Sequence, residues 1–315
     1  MKLRLGPINA ATPTPLRSDG SFDRESARRL CARWVEVGLD GVLLLGSMGE
    51  GLLLPEEVRS AFVETALEEA GNKLTLFVSA ASHDAAAMRE RALRYAAMGV
   101  HCVVLAAPVG ASGAGTVEQV LKTADACPVP CAYYEVPPVT RVALYVREIH
   151  RILTHPNICA FKDSSGNSLI AQALTSAEFH ADVKLLDGVE YHVCHSAAMG
   201  YDGIIHGGGV MTARRVRSIW AKACSGKLDE AMALDRENSL CLGHIYNRFT
   251  GPVQNIAGQK FALKLLGVLS DERVMVDQAL DDCSRERIAR VVDANRHWLA
   301  GESPGCGAAD RVISA

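Results

Sequence analysis

Eight short apolar runs, each followed by a loop and an amphipathic helical stretch, constrain the fold of this chain more than any other feature. The runs lie at Ile8–Ala11, Gly41–Leu45, Leu74–Ser79, Cys102–Ala106, Val129–Tyr134, Ile158–Lys162, Val183–Leu186 and Gly203–Ile205. They recur at about the length of one βα unit. They do not alternate apolar with polar residues, as expected of parallel strands buried on both faces. The stretches between them read as helices. Asp23 precedes a helix that places Leu30, Trp34 and Val37 on one face and stops at Gly38. Pro55-Glu56-Glu57 opens a second, Ser82-His83-Asp84 a third and Thr116 a fourth. Asp19-Gly20 reads as a tight turn closing a small hairpin. Eight such units predict a closed α/β barrel of the (β/α)8 type over residues 1–225. A doubly wound open sheet is the competing arrangement, because spacing alone does not prove closure.

Residues 226–300 read as wholly helical, with segments at Leu228–Arg236, Ser239–Arg248, Ile256–Leu269 and Cys283–Leu299. They form a C-terminal helical extension. Residues 301–315 are rich in Gly, Ser and Ala and read as a frayed tail. Hydrophobic residues make up 49% of the 315, enough for a large core, and charged residues 22%, which excludes wholesale disorder. With a formal net charge of −3 and no long basic run, the chain carries no nucleic-acid footprint. No apolar stretch is long enough to cross a bilayer, and the opening Met1–Pro7 lacks the apolar run of a secretory signal. The ten cysteines are scattered with no Cys-x-x-Cys pair and read as reduced thiols. A cytoplasmic protein is expected.

In such a barrel the chemistry sits at the C-terminal ends of the strands. After the second run comes Gly46-Ser47-Met48-Gly49-Glu50-Gly51, a turn whose glycines let backbone N–H groups approach an anion, or which is simply tight. After the fifth comes Tyr133-Tyr134-Glu135, where one phenol faces the barrel mouth and its neighbour faces away. The sixth ends in Phe161-Lys162-Asp163-Ser164-Ser165-Gly166-Asn167. A lysine there is either a desolvated nucleophile or the partner of an acid such as Asp163. The eighth leads into His206-Gly207-Gly208-Gly209, whose histidine is titratable or structural. Gly110–Gly115 lacks the residues of a phosphate loop and reads as a flexible loop. His192 and His195 share a helix face without an evident third ligand, so no metal is expected.

Together these segments resemble the dihydrodipicolinate synthase / N-acetylneuraminate lyase family of class I aldolases, over roughly residues 5–300. The resemblance rests on Thr14-Pro15-Leu16, the Gly-Ser-Met-Gly-Glu turn, Tyr134 to Pro137, Phe161 to Asn167, Asp187-Gly188 and the glycine-rich turn after the eighth run, in that order. It implies that Lys162 forms a Schiff base with pyruvate or another 2-oxo acid, and that Tyr134 is the general acid/base. It also implies that Ser47 and the Met48 and Gly49 amides hold the substrate carboxylate, and that Gly188 and Ile205 supply backbone contacts. No cofactor or metal is implied, and a homo-oligomer, tetramer or dimer, is.

Three departures bear on the reaction. Family members that make dihydrodipicolinate carry a second hydroxyl residue where Met48 stands. They carry a cross-subunit tyrosine where the sequence has Pro108-Val109-Gly110, and an arginine where it has Val139. Arg141 lies close to the last position and is a candidate substitute. Glu135 and His206 are candidates for reading a different aldehyde or hydroxylated 2-oxo acid. The leading expectation is a lyase acting by retro-aldol cleavage or dehydration. The alternatives are a synthase with a rewired proton relay and a non-catalytic barrel that binds a 2-oxo acid.

Overall fold

The computed structural model describes residues 5–249 and 254–299, so the expected tail at 301–315 lies outside the described residues. The strands are β1 (Ile8–Ala11), β2 (Gly41–Leu44), β3 (Thr75–Ser79), β4 (Cys102–Ala106), β5 (Cys131–Glu135), β6 (Ile158–Asp163), β7 (Lys184–Asp187) and β8 (Gly203–His206). All pair in parallel in sequence order, and β8 returns to β1. That closure excludes the open doubly wound sheet.

Between the strands lie α1 (Arg24–Glu36), α2 (Glu56–Ala70), α3 (Ala85–Ala97), α4 (Gly113–Ala126), α5 (Pro137–Thr140), α6 (Val146–Leu153), α7 (Ser168–Leu174) and α8 (Val193–Ala198). The last barrel helix is α9 (Gly209–Cys224). Asp23 and Asp84 cap α1 and α3 by accepting from the Ser26 and Ala87 amides, which satisfies a donor that each helix start leaves open. The Asp19-Gly20 turn is present, with Leu16 bridging Phe22 antiparallel. The expected Gly110–Gly115 loop is shorter than its glycines suggest. Ser112 caps a helix that already begins at Gly113, so the fourth helix opens one turn before Thr116.

Side-chain alternation along each strand separates two apolar layers. Leu43, Phe77, Val104, Ala132, Leu186 and Ile205 fill the barrel interior. Val42, Val78, Val103, Tyr133, Phe161 and Ile204 face outward beneath the helices. After the barrel come α10 (Leu228–Ile245), α11 (Asn255–Leu265), α12 (Asp282–Ala294) and α13 (Arg296–Leu299). The sequence suggests a break near Glu237-Asn238, but α10 runs through it with Asn238 fully buried. No helix among the described residues is long and apolar enough to cross a membrane.

Candidate active site

Strand register brings the central pair together. Tyr134 on β5 is the direct partner of Lys162 on β6, and Lys162 of Leu186 on β7. Directly opposed residues on neighbouring strands point to the same face, so Tyr134 and Lys162 both turn into the barrel mouth. The Lys162 Nζ lies 4.1 Å from the centroid of the Tyr134 ring. Both residues are about 95% buried, at 5% and 4% exposure. Tyr133 faces outward and stacks on Phe161, as alternation requires.

Asp163 does not neutralise Lys162. Its carboxylate accepts from the Tyr201 hydroxyl and the Ser165 amide, each at 2.8 Å. Among the described residues no carboxylate lies within ion-pair reach of Lys162. The Tyr134 hydroxyl is 3.4 Å from the Ser47 hydroxyl. Burial pushes this phenol up, but the Lys162 charge and bonds with Ser164, Ser47 and Lys162 outweigh it and hold Tyr134 below the ordinary tyrosine value.

A cavity of about 290 Å³ opens over this pair, lined among others by Ser47, Met48, Tyr134, Lys162, Ser164 and Gly188. Gly188 is a steric requirement. A Cβ there would lie 1.9 Å from Ser164 Oγ and 3.0 Å from Lys162 Cε, so any side chain would displace the lysine or its neighbour. The Gly188 amide donates to the Asp163 carbonyl at 2.7 Å, which fixes the turn after β7 against the end of β6.

The turn after β2 is built differently from the anion cradle expected of it. Gly49 and Gly51 donate their amides to the Gly46 carbonyl, and Glu50 donates to Ser47. Gly49 therefore has no free amide for a substrate and does not line the cavity. A Cβ on Gly49 would stand 2.9 Å from the Leu45 nitrogen, so this glycine is needed for packing. Among the described residues the Ser47 and Met48 amides meet no protein acceptor, which leaves these two groups with the Ser47 hydroxyl at the cavity wall.

Two further candidates lie away from the cavity. Glu135 alternates with Tyr134 and points out of the barrel. It is 1% exposed and accepts from the Tyr133 hydroxyl at 2.7 Å and the Leu144 amide at 3.0 Å, away from the cavity. Arg141 ends α5 with φ +61° and its side chain is exposed, outside the cavity lining. The Ile205 side chain packs into the barrel interior, and His206 and Gly207 beside it form the cavity wall at the end of β8. Gly207 lets the Met48 side chain close in, since a Cβ there would meet it at 3.1 Å.

His206 does line the cavity. Its side chain is fully buried, its Nδ1 stands 3.5 Å from a Glu190 carboxylate oxygen, and neither ring nitrogen has a hydrogen-bond partner within the protein. Glu190 accepts from the Gly208 amide and, at 3.4 Å, from the Tyr246 hydroxyl. Sequence reasoning missed Arg248 and Asn255, which follow α10 and reach the same cavity. The Arg248 guanidinium lies over the Tyr191 ring at 4.6 Å. Neither residue follows a barrel strand, so no strand-end pattern marks them.

A chemically coherent set thus meets in one cavity: a buried unpaired amine, an acidified phenol beside it, a hydroxyl on that phenol and two open amides. Comparison with known proteins bears on the family and the fold. The model of the dihydrodipicolinate synthetase family matches residues 4–286. A 4-hydroxy-tetrahydrodipicolinate synthase of Mycolicibacterium gilvum is 29% identical over 242 residues, covering 74% of this chain and 76% of that protein. Among solved structures, the chloride-inhibited dihydrodipicolinate synthase of Acinetobacter baumannii, complexed with pyruvate, has a TM-score of 0.83 at 20% identity, covering 92% of this chain and 98% of that one. CdNal from Clostridium difficile, in complex with mannosamine, also has 0.83, at 16% identity and covering 93% and 99%.

Proposed function

The chain belongs to the dihydrodipicolinate synthetase family, whose members are pyruvate-dependent class I aldolases and lyases, and on that premise we propose that Lys162 forms a Schiff base with pyruvate or another 2-oxo acid. The observation that carries this reading is the buried, unpaired Lys162 against Tyr134 in a cavity that Ser47 and Met48 also line.

The neutral Lys162 amine adds to the C2 ketone, giving a carbinolamine. Loss of water then leaves a protonated imine. Breaking the C3–C4 bond, or a C3–H bond, delivers its electron pair into that cation and gives an enamine. The 2-oxo acid's carboxylate takes the Ser47 hydroxyl and the Ser47 and Met48 amides. Tyr134, within reach of both Ser47 and the lysine, carries protons to the departing water and to or from the C4 oxygen.

Cleavage or dehydration of a 2-oxo acid is the leading form of the reaction. The relatives named 4-hydroxy-tetrahydrodipicolinate synthase suggest condensation of pyruvate with aspartate semialdehyde as the alternative. Met48, the Pro108-Val109-Gly110 stretch and Val139 weigh against it, standing where that reaction's hydroxyl, phenol and arginine are expected. A homo-oligomer, tetramer or dimer, and a cytoplasmic location belong to the same reading. Sedimentation over a range of concentrations measures the first.

Enamine formation exchanges the pyruvate methyl protons with solvent. In deuterium oxide, proton NMR is expected to show loss of the methyl signal with the wild type and none with Lys162→Met. Tyr134→Phe is expected to slow exchange by about 10²–10⁴-fold, the usual worth of a positioned acid/base. Exchange undiminished in Lys162→Met contradicts the reading.

A further inference from the structure

The two ends of the barrel carry different chemistry. The cavity over Lys162 opens at the C-terminal ends of the strands, and a pair of thiols meets at the N-terminal ends. Cys102 is the first residue of β4 and Cys159 the second of β6. β5 separates their strands, yet their sulfurs are 3.8 Å apart, in contact. Strict alternation does not put Cys159 there. Ala160 faces the barrel interior and Phe161 the helices, so Cys159 would face outward too. A bulge redirects it. Cys131 pairs with Ile158 and Ala132 with Ala160, while pairing with β7 starts only at Ala160, so Cys159 is the extra residue on β6. Such a residue leaves the ladder and its side chain is re-aimed. Cys159 accordingly packs against the inner apolar layer that holds Cys102.

A buried cysteine is ordinarily a small apolar filler. This pair is asymmetric in a way that filling does not require. Cys102 is 0% exposed, whereas Cys159 is only half-buried and meets solvent. Hydrogen bonding with Cys102 holds the Cys159 thiol below its ordinary value, and burial pushes the Cys102 thiol up. The thiolate therefore forms at the sulfur that solvent reaches, with a sheltered thiol beside it. That is the arrangement of an attacking cysteine with a resolving one. Cys127 and Cys131 are both buried, and Cys224 and Cys283 are exposed, so none of these repeats it.

We propose that Cys159 and Cys102 form a modification site for a small hydroperoxide, closing to a disulfide that ties β6 to β4. The Cys159 thiolate attacks one peroxide oxygen and the O–O bond breaks. Cys159 becomes a sulfenic acid, and the other oxygen leaves as water with the proton the thiol has lost. The Cys102 sulfur then attacks the Cys159 sulfur. The S–O bond breaks, and the hydroxyl leaves with the Cys102 proton as a second water. Two thiols give up two electrons in all, and one hydrogen peroxide is reduced to two waters. Bond formation draws the sulfurs to about 2 Å. The movement falls on Cys159, which the bulge frees from the ladder, on the strand that also carries Lys162. The site is independent of the imine proposed at Lys162.

The test is titration of the reduced, folded protein with hydrogen peroxide, followed by unfolding, alkylation of the remaining thiols and peptide mass mapping. The peptides of Cys102 and Cys159 are expected to appear linked, short of two hydrogens, at peroxide levels that leave Cys224 and Cys283 alkylated. Dithiothreitol is expected to restore both thiols. With dimedone present during oxidation, Cys102→Ala and the bulkier Cys102→Val are expected to carry about 10-fold more adduct on Cys159 than the wild type, in which Cys102 competes for the sulfenic acid. Exposure alone would oxidise Cys224 and Cys283 first. That order overturns the proposal, as does a link between Cys127 and Cys131 in place of the expected one. Equal dimedone labelling of Cys159 with and without Cys102 overturns it as well.

Discussion

At the scale of single residues, Glu135 separates the reach of the sequence from that of the structure. From the sequence it is a polar residue beside a candidate acid/base and looks like part of the site. In the fold the two-residue period of β5 sends it to the opposite face from Tyr134. Its carboxyl is raised above the ordinary value by burial, against the lowering effect of Tyr133 and the Leu144 amide, and with Asp163 and Glu148 raising it further. A carboxyl raised in the folded state contributes stability that is fully present below its unfolded value and lost as pH rises toward the folded one. Glu135→Gln does not titrate. Its thermal midpoint minus that of the wild type is therefore expected to grow as pH rises from about 4.5 and then level off. Turnover should stay within about threefold, since the side chain does not touch the cavity. A difference flat across pH contradicts the burial argument, and loss of turnover at unchanged stability would return Glu135 to the site. The placement of Lys162, Tyr134 and Ser47 at one cavity was legible because Tyr134 and Lys162 end strands, and Ser47 follows one, whose apolar runs are plain in the sequence. Arg248 was not legible, because it reaches the cavity from a helical extension whose packing no local pattern encodes.

At the scale of elements, the turn after β2 depends on the C-terminal helices. Leu45 and Glu50 adopt φ of +58° and +56°, a conformation that non-glycine residues hold only when their surroundings impose it. Glu50 is the anchor. One oxygen accepts from Lys260 Nζ on α11 at 2.6 Å, and the other from the Met275 and Val276 amides. Both side chains of the ion pair are fully buried. Burial pushes the Lys260 amine below its ordinary value even with Glu50 alongside. Removing one member leaves an uncompensated buried charge, which costs about 3–5 kcal/mol. Glu50→Gln and Lys260→Met are each expected to lose about that much in denaturant unfolding, and the double variant less than their sum. Single losses below about 1 kcal/mol would show that the pair does not hold the turn. The sequence marks the helices after the barrel but not their joints. The polar Glu237-Asn238 step suggests a loop, whereas burial of Asn238 against the rest of the molecule carries α10 through it.

At the scale of the whole molecule, closure of eight parallel strands gathers residues that lie far apart in the chain. Ser47 after β2, Tyr134 on β5, Lys162 on β6, Gly188 after β7 and His206 on β8 line one cavity. The fold class was legible because non-alternating apolar runs leave few arrangements other than a parallel sheet covered on both faces. The count of eight units predicted closure, and the pairing of β8 with β1 bears it out, although no single run encodes its distant partner. The central claim is that this convergence makes Lys162 the nucleophile toward a 2-oxo acid. Borohydride reduction in the presence of pyruvate, followed by peptide mass mapping, tests it most directly. A stable pyruvate-derived adduct on Lys162, absent without pyruvate and absent from Lys162→Met, is the predicted result. No adduct, or an adduct on another lysine with Lys162 unmodified, would contradict it.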